Sequence, residues 1–190
     1  MSGTKLVFAL GLALGVAACA GATTTDFVYY ERTGVRQLFH YAAADRDFRA
    51  AIYGNPSAAS KEAFDAAVIA AMQGSNWGPQ TKFTTTPSES AREGYRVVMV
   101  FSGDRYYGGK AACRDIDSAA LAPVAGRVQL QAAFCFRDQV LSEVRVRFDA
   151  SRGLNDSALD HAVAQAVLHL FPLRDPYMEH DNDRDMIVVP

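Results

Sequence analysis

Cysteine is scarce in this chain, with three residues in 190. None of the three belongs to a C-x-x-C pair and no His–Cys cluster surrounds them, so neither a dithiol redox centre nor a zinc site is expected. Runs of Lys and Arg with interleaved aromatics are absent. A formal net charge of -2 and a pI near 6.1 add no general attraction to polyanions, so nucleic acid is not an expected partner. No apolar run reaches the ~20 residues that a membrane-spanning helix needs. The chain also lacks a G-x-S-x-G nucleophile elbow and internal repeats. No cofactor or metal is expected. Hydrophobic residues at 49% and charged residues at 21% are ordinary for a globular protein, and the length suits one domain with loose ends.

The first eighteen residues differ from the rest. Lys5 is followed by the apolar stretch Leu6 to Val16 and the small residues Ala17 and Ala18. That is the layout of a signal peptide, and by itself it allows cleavage near Ala18 or Ala20 with Cys19 left unmodified. The tetrapeptide Val16-Ala17-Ala18-Cys19 resembles the lipobox of bacterial lipoproteins at every position. The resemblance implies diacylglycerol on the Cys19 sulfur, cleavage before it, and acylation of the new amino terminus by a fatty acid such as palmitate. Acyl chains contribute about 0.8 kcal/mol per buried methylene, so two or three of them hold a protein on a bilayer. Ala20 rather than Asp after the cysteine implies the outer membrane, at its periplasmic face. Residues 20–25 (AGATTT) are small and polar and suit a short tether.

An exported chain folds in an oxidising space. With Cys19 carrying lipid, Cys113 and Cys135 are the remaining pair and are expected to form a disulfide. A loop of about 22 residues closed in this way stabilises a fold by roughly 3 kcal/mol in the chain-entropy picture.

Along the mature chain, Asp47 to Tyr53 alternates Phe48, Ala50 and Ile52 against Arg49, Ala51 and Tyr53 and predicts a strand. Gly54-Asn55-Pro56 breaks it. Ser60 is a candidate N-cap for a helix whose stripe is Phe64, Ala67, Val68, Ala71 and Met72, ending at Gly74. The Thr-rich stretch Thr81 to Thr86 could form a further strand. Tyr95 to Phe101 is apolar on both faces apart from Arg96, as a central strand requires. Val128 to Phe136 and Val144 to Phe148 alternate on either side of the polar turn Arg137-Asp138-Gln139 and predict a β-hairpin. A second helix follows, capped by Asn155 or Asp156, with a stripe of Leu159, Ala162, Val163, Ala166, Val167 and Leu170. The expected fold is therefore α+β: a two-layer sandwich of a mainly antiparallel sheet of about four strands with two helices. The expected organisation is signal peptide 1–18, tether 19–26, a single domain 27–172 and an acidic tail 173–190. In element order and lipobox it resembles the outer-membrane lipopolysaccharide-assembly lipoprotein and auxiliary lipoproteins of lipid-transport systems.

Candidate sites are few. Gly103 to Ala111 looks like a phosphate loop, but an extra glycine intrudes and Ala111 has no hydroxyl for Mg²⁺. His161 and His169 lie on one helix about 12 Å apart along its axis, too far to share a metal. His40 and His180 show no ligand spacing. Asp181 to Asp185 begins like a calcium loop, yet Met186 occupies the position that needs glycine. Phe27, Tyr29, Tyr30, Phe39 and Tyr41 suit either burial against the sheet or contact with a membrane or partner. Arg145 and Arg147 on the hairpin's polar face, with Tyr29 and Tyr30, make the candidate partner surface. The expected function is a non-enzymatic binding or assembly module for an envelope protein or lipid. The alternatives are a periplasmic enzyme acting on cell-wall or envelope substrates, or a binder of small ligands.

Overall fold

The computed structural model describes residues 23–32, 34–103, 105–114, 116, 126–150 and 157–174. The lipobox with Cys19, the cap candidates Asn155 and Asp156, His180 and the calcium-like run Asp181 to Asp185 lie outside the described residues. No helix among the described residues is long and apolar enough to cross a membrane.

The hairpin is the centre of the fold. Strand β5 (Arg127–Phe136) turns through Arg137 and Asp138 into β6 (Gln139–Asp149), in antiparallel register from Arg127 opposite Asp149 to Phe136 opposite Gln139. Arg137 takes a positive φ of 52°, and its N–H donates to the Gly94 carbonyl at 2.7 Å. Strand β4 (Tyr95–Ser102) pairs antiparallel with the other side of β5, so β5 is flanked on both edges. Strand β2 (Asp47–Tyr53) pairs with β4, and the short β3 (Lys82–Thr84) pairs with β2, both in parallel. Strand β1 (Thr24–Tyr30) lies antiparallel on the outer side of β6. The six-stranded sheet therefore runs β1-β6-β5-β4-β2-β3.

The α+β class holds, but the expected four strands become six and the sheet is mixed. Parallel pairing follows from connectivity, because parallel neighbours need a crossover and a helix between two strands supplies one. Here α2 (Lys61–Met72) connects β2 to β3. Ser60 caps it, its hydroxyl accepting from the Ala63 N–H at 3.2 Å, and Gly74 follows at a φ of 69°. The other three helices are α1 (Val35–Ala43), α3 (Gly109–Arg114) and α4 (Ser157–Leu170).

Helices α1, α2 and α4 cover one face of the sheet. Phe64, Val68 and Met72 of α2 and the predicted stripe of α4 are buried there against Val97, Met99, Phe101, Leu130, Phe134 and Val146. Four phenylalanines from separate elements lock this layer. Phe39 stacks on Phe171 with centroids 3.6 Å apart, and Phe48 and Phe134 meet both rings. Such pairs add about 0.5–1.5 kcal/mol each beyond the area they bury.

The opposite face carries a smaller cluster that makes the sandwich more than two layers. Val98 and Val100 of β4 and Ala133 and Cys135 of β5 pack there beneath Ala112, Cys113 and Ile116. Cys113 and Cys135 form the disulfide, their Cα atoms 5.6 Å apart, and so fasten α3 to the centre of the sheet. Arg96, the one charged residue of β4, points the same way and its guanidinium donates to the Cys113 carbonyl.

Because α3 has only six residues, its place depends on this bond. Cys113→Ser with Cys135→Ser is expected to lower stability by roughly 3 kcal/mol, measured by urea unfolding, for the 22-residue separation of the pair. Hydrogen exchange in 105–114 should rise first, while the helix-covered face keeps its protection.

Candidate functional site

On the α3 side of the sheet, side chains of β6 and β1 form one surface. Successive strand residues point to opposite faces, so Glu143, Arg145 and Arg147 of β6 lie together. The register sets Tyr29 opposite Glu143, Phe27 opposite Arg145 and Thr24 opposite Arg147. A bulge at Asp26 interrupts the β1 ladder, and the Asp26 carboxylate accepts from Arg147 Nε at 3.0 Å. Arg145 lies over the Tyr106 ring at 4.4 Å and near the Phe27 ring at 5.6 Å. Tyr29 donates to Glu31 at 2.7 Å. Three members of the expected partner surface, Arg145, Arg147 and Tyr29, are thus brought together.

Tyr30 does not join them. Its side chain points to the helix face, where its hydroxyl donates to the His169 carbonyl at 2.6 Å and the ring packs on the main core. The alternation of the strand separates the neighbours Tyr29 and Tyr30. The rest of the aromatic cluster divides similarly. Phe39 is buried, Tyr41 is exposed beneath Arg92, and Phe27, Val28 and Tyr29 are 38%, 37% and 38% exposed on the edge strand.

Glu143 is the residue that the sequence did not mark. It is only 8% exposed, and its Oε1 accepts from Gln131 Nε2 at 2.8 Å and Tyr106 Oη at 2.9 Å. Two further polar atoms in this layer, Gln131 Oε1 and Arg145 Nε, are buried without a hydrogen bond among the described residues. Gly109, the first residue of α3, makes room for the other carboxylate oxygen. A Cβ there would come within 2.5 Å of Glu143 Oε2. This close approach accounts for the glycine in a segment that resembles a phosphate loop in sequence alone.

Glu143 opens onto a groove of about 610 Å³ between β1, β6 and α3. Phe27, Tyr29 and Glu31 form one wall, Lys110 and Arg114 the other, and Val140 and Glu143 lie between them. A second bulge shapes this floor. Phe134 faces Ser142 but Cys135 faces Val140, which turns Leu141 into the main core and leaves Val140 on the α3 side.

The remaining candidates stay apart. His161 lines a shallow cleft beside Ala70 and Ala71 of α2, and His169 meets Tyr30 only through its carbonyl. His40 is exposed on α1. Among the described residues no three His, Cys, Asp or Glu side chains gather as a metal site would require.

No protein-family profile matches the chain, and no curated protein does. Among solved structures, a PelC dodecamer from Paraburkholderia phytofirmans superposes with a TM-score of 0.42 and 12% identity, over 81% of this chain and 99% of that one. A likeness this distant carries no functional argument.

Two measurements test the geometry around Glu143. Gly109→Ala is expected to cost about 1–3 kcal/mol in urea unfolding, through the clash with Glu143. Gly108→Ala, whose Cβ would meet the Tyr106 ring no closer than 3.4 Å, should stay within about 0.5 kcal/mol. The Tyr106 phenol is held above its ordinary value of 10.0 by desolvation first and by its hydrogen bond to Glu143 second. Its contribution to stability is present below pH 10.0 and is lost as pH rises through the folded-state value. In an alkaline absorbance titration, Tyr106→Phe should remove one late-titrating group, and Glu143→Gln should move that group to lower pH.

Proposed function

We propose that this protein is a lipoprotein anchored through Cys19 to the periplasmic face of the outer membrane. In this reading the surface formed by β1 and β6 binds an envelope protein or lipid, with no chemistry of its own. The observation that carries it is the start of β1 at Thr24. Five residue steps separate Thr24 from Cys19, a reach of at most ~18 Å even when fully extended. The edge strand with Phe27, Val28 and Tyr29 exposed would therefore stand close to the bilayer surface, where aromatic rings with polar tips are favoured. Among the described residues nothing pairs with the outer edge of β1, and such an edge is a template for a partner's backbone that Asp26 with its bulge blunts at only one end.

The disulfide supports an oxidising compartment. The polar groups of the groove favour binding over catalysis. Both donors to Glu143 converge on the same oxygen and orient it, and the Tyr106 phenol is held above its ordinary value, away from the range a general base uses near neutral pH.

Cys19→Ser should release the protein from membranes into the soluble periplasmic fraction. A photo-crosslinking residue at Tyr29 in the lipidated protein should capture lipid or one reproducible envelope protein, while the same residue at exposed Trp77 should not. Retention of Cys19→Ser on membranes would refute the anchor. Equal labelling from both positions, or none, would refute the surface.

A further inference from the structure

The groove beside Glu143 holds charges of both signs that do not meet. Glu31, Asp138 and Glu143 line it from the end of β1, the hairpin turn and β6, while Lys110 and Arg114 belong to α3. The ion pairs Lys61–Asp65 and Arg147–Asp26 both lie outside the groove. Lys110 and Arg114 are four residues apart, so one face of α3 presents both cations. Glu143 is more than nine-tenths buried, with two donors on Oε1 and none on Oε2 among the described residues. A carboxylate this deep in a protein needs its remaining acceptor capacity met, and Gly109 is what keeps Oε2 clear of a Cβ.

A ligand that satisfies both sides carries a cation and an anion joined by a short spacer. The cation faces two carboxylates, Glu143 and Glu31, and must be a compact group with several hydrogen-bond donors to serve both. An ammonium fits that description. The anion faces two cations, one of them a planar guanidinium that suits bidentate contact with phosphate oxygens. The volume of about 610 Å³ lies inside the range of small-ligand sites, about 300–1,000 Å³. At the groove's edge the Phe27 ring stays partly exposed on the same face.

We propose that this groove binds a phosphoethanolamine headgroup, with its ammonium on Glu143 and Glu31 and its phosphate on Lys110 and Arg114. The inference rests on the reading of this surface as a binding face near a membrane and names what it binds. The exposed Phe27 ring then meets the start of an acyl chain when the headgroup belongs to a lipid.

The test uses the full chain carrying Cys19→Ser, titrated by calorimetry with dihexanoyl phosphatidylethanolamine, dihexanoyl phosphatidylglycerol and glycerophosphoethanolamine. Phosphatidylethanolamine should bind at least about tenfold more tightly than phosphatidylglycerol, a difference of ~1.4 kcal/mol. Glu143→Gln and Arg114→Ala should each weaken it by about tenfold or more. Arg114 is exposed, so its variant keeps the test decisive if Glu143→Gln does not fold. Tighter binding of the lipid than of glycerophosphoethanolamine supports a lipid source, and equal binding supports recognition of the headgroup alone. Equal or tighter binding of phosphatidylglycerol, an unchanged Arg114→Ala variant, or no binding of either phosphoethanolamine probe would overturn the proposal. If no probe binds while Tyr29 still crosslinks selectively in membranes, the headgroup assignment fails and the binding surface survives. If the lipid binds but Tyr29 does not label selectively, the membrane-facing surface fails and the groove's specificity stands.

Discussion

The bond between Cys113 and Cys135 is the constraint on which the α3 side of this protein depends. Six residues cannot form a stable helix in water, because the first turn costs more in backbone entropy than one hydrogen bond returns. Tied near the end of β5, that short segment becomes a wall. It places Gly109 against Glu143, Ala112 over the sheet and both Lys110 and Arg114 beside the groove. Arg96 adds a polar tie at the same point by donating to the Cys113 carbonyl.

The two faces of the sheet are stabilised differently. Three helices and a cluster of phenylalanine rings bury the first face, and its energetics are those of ordinary apolar packing. The second face joins a small apolar patch to a polar layer containing Gln131, Glu143, Tyr106 and Arg145. Its polar atoms are not all satisfied among the described residues. Buried polar layers of this kind favour one arrangement of neighbours but gain less from burial, and unmet groups in them mark places where something else can bind. That division puts rigidity on the helix side and recognition on the α3 side.

How much is legible in the sequence follows from whether an element buries a regular face. Strands β2, β5 and β6 alternate, β4 is apolar on both faces, and α2 and α4 carry continuous stripes, so pattern alone places each near its observed bounds. Strand β1 is an edge with most of its residues exposed, so no period of two marks it, and its first residues read as tether. Helix α1 has the stripe Val35, Phe39, Ala42 and Ala43, but Gly34 before it offers no side-chain cap, and its aromatics read only as part of a cluster suited to burial or to partner contact. Helix α3 is too short to show a period at all. The groove is hidden for the same reasons, since two of its walls come from the unpredicted β1 and α3.

Local pattern by itself determined the hairpin, the two long helices and the α+β class. Those features repeat over enough residues for their burial to leave a period in the chain. Only the tertiary structure decided the parallel pairing of β2, the separation of Tyr29 from Tyr30 across the sheet and the meeting of Glu143 with Gly109, Gln131 and Tyr106. Gly109 and Glu143 are far apart in sequence, and a contact across that distance is set by register and by a disulfide, neither of which local periodicity records.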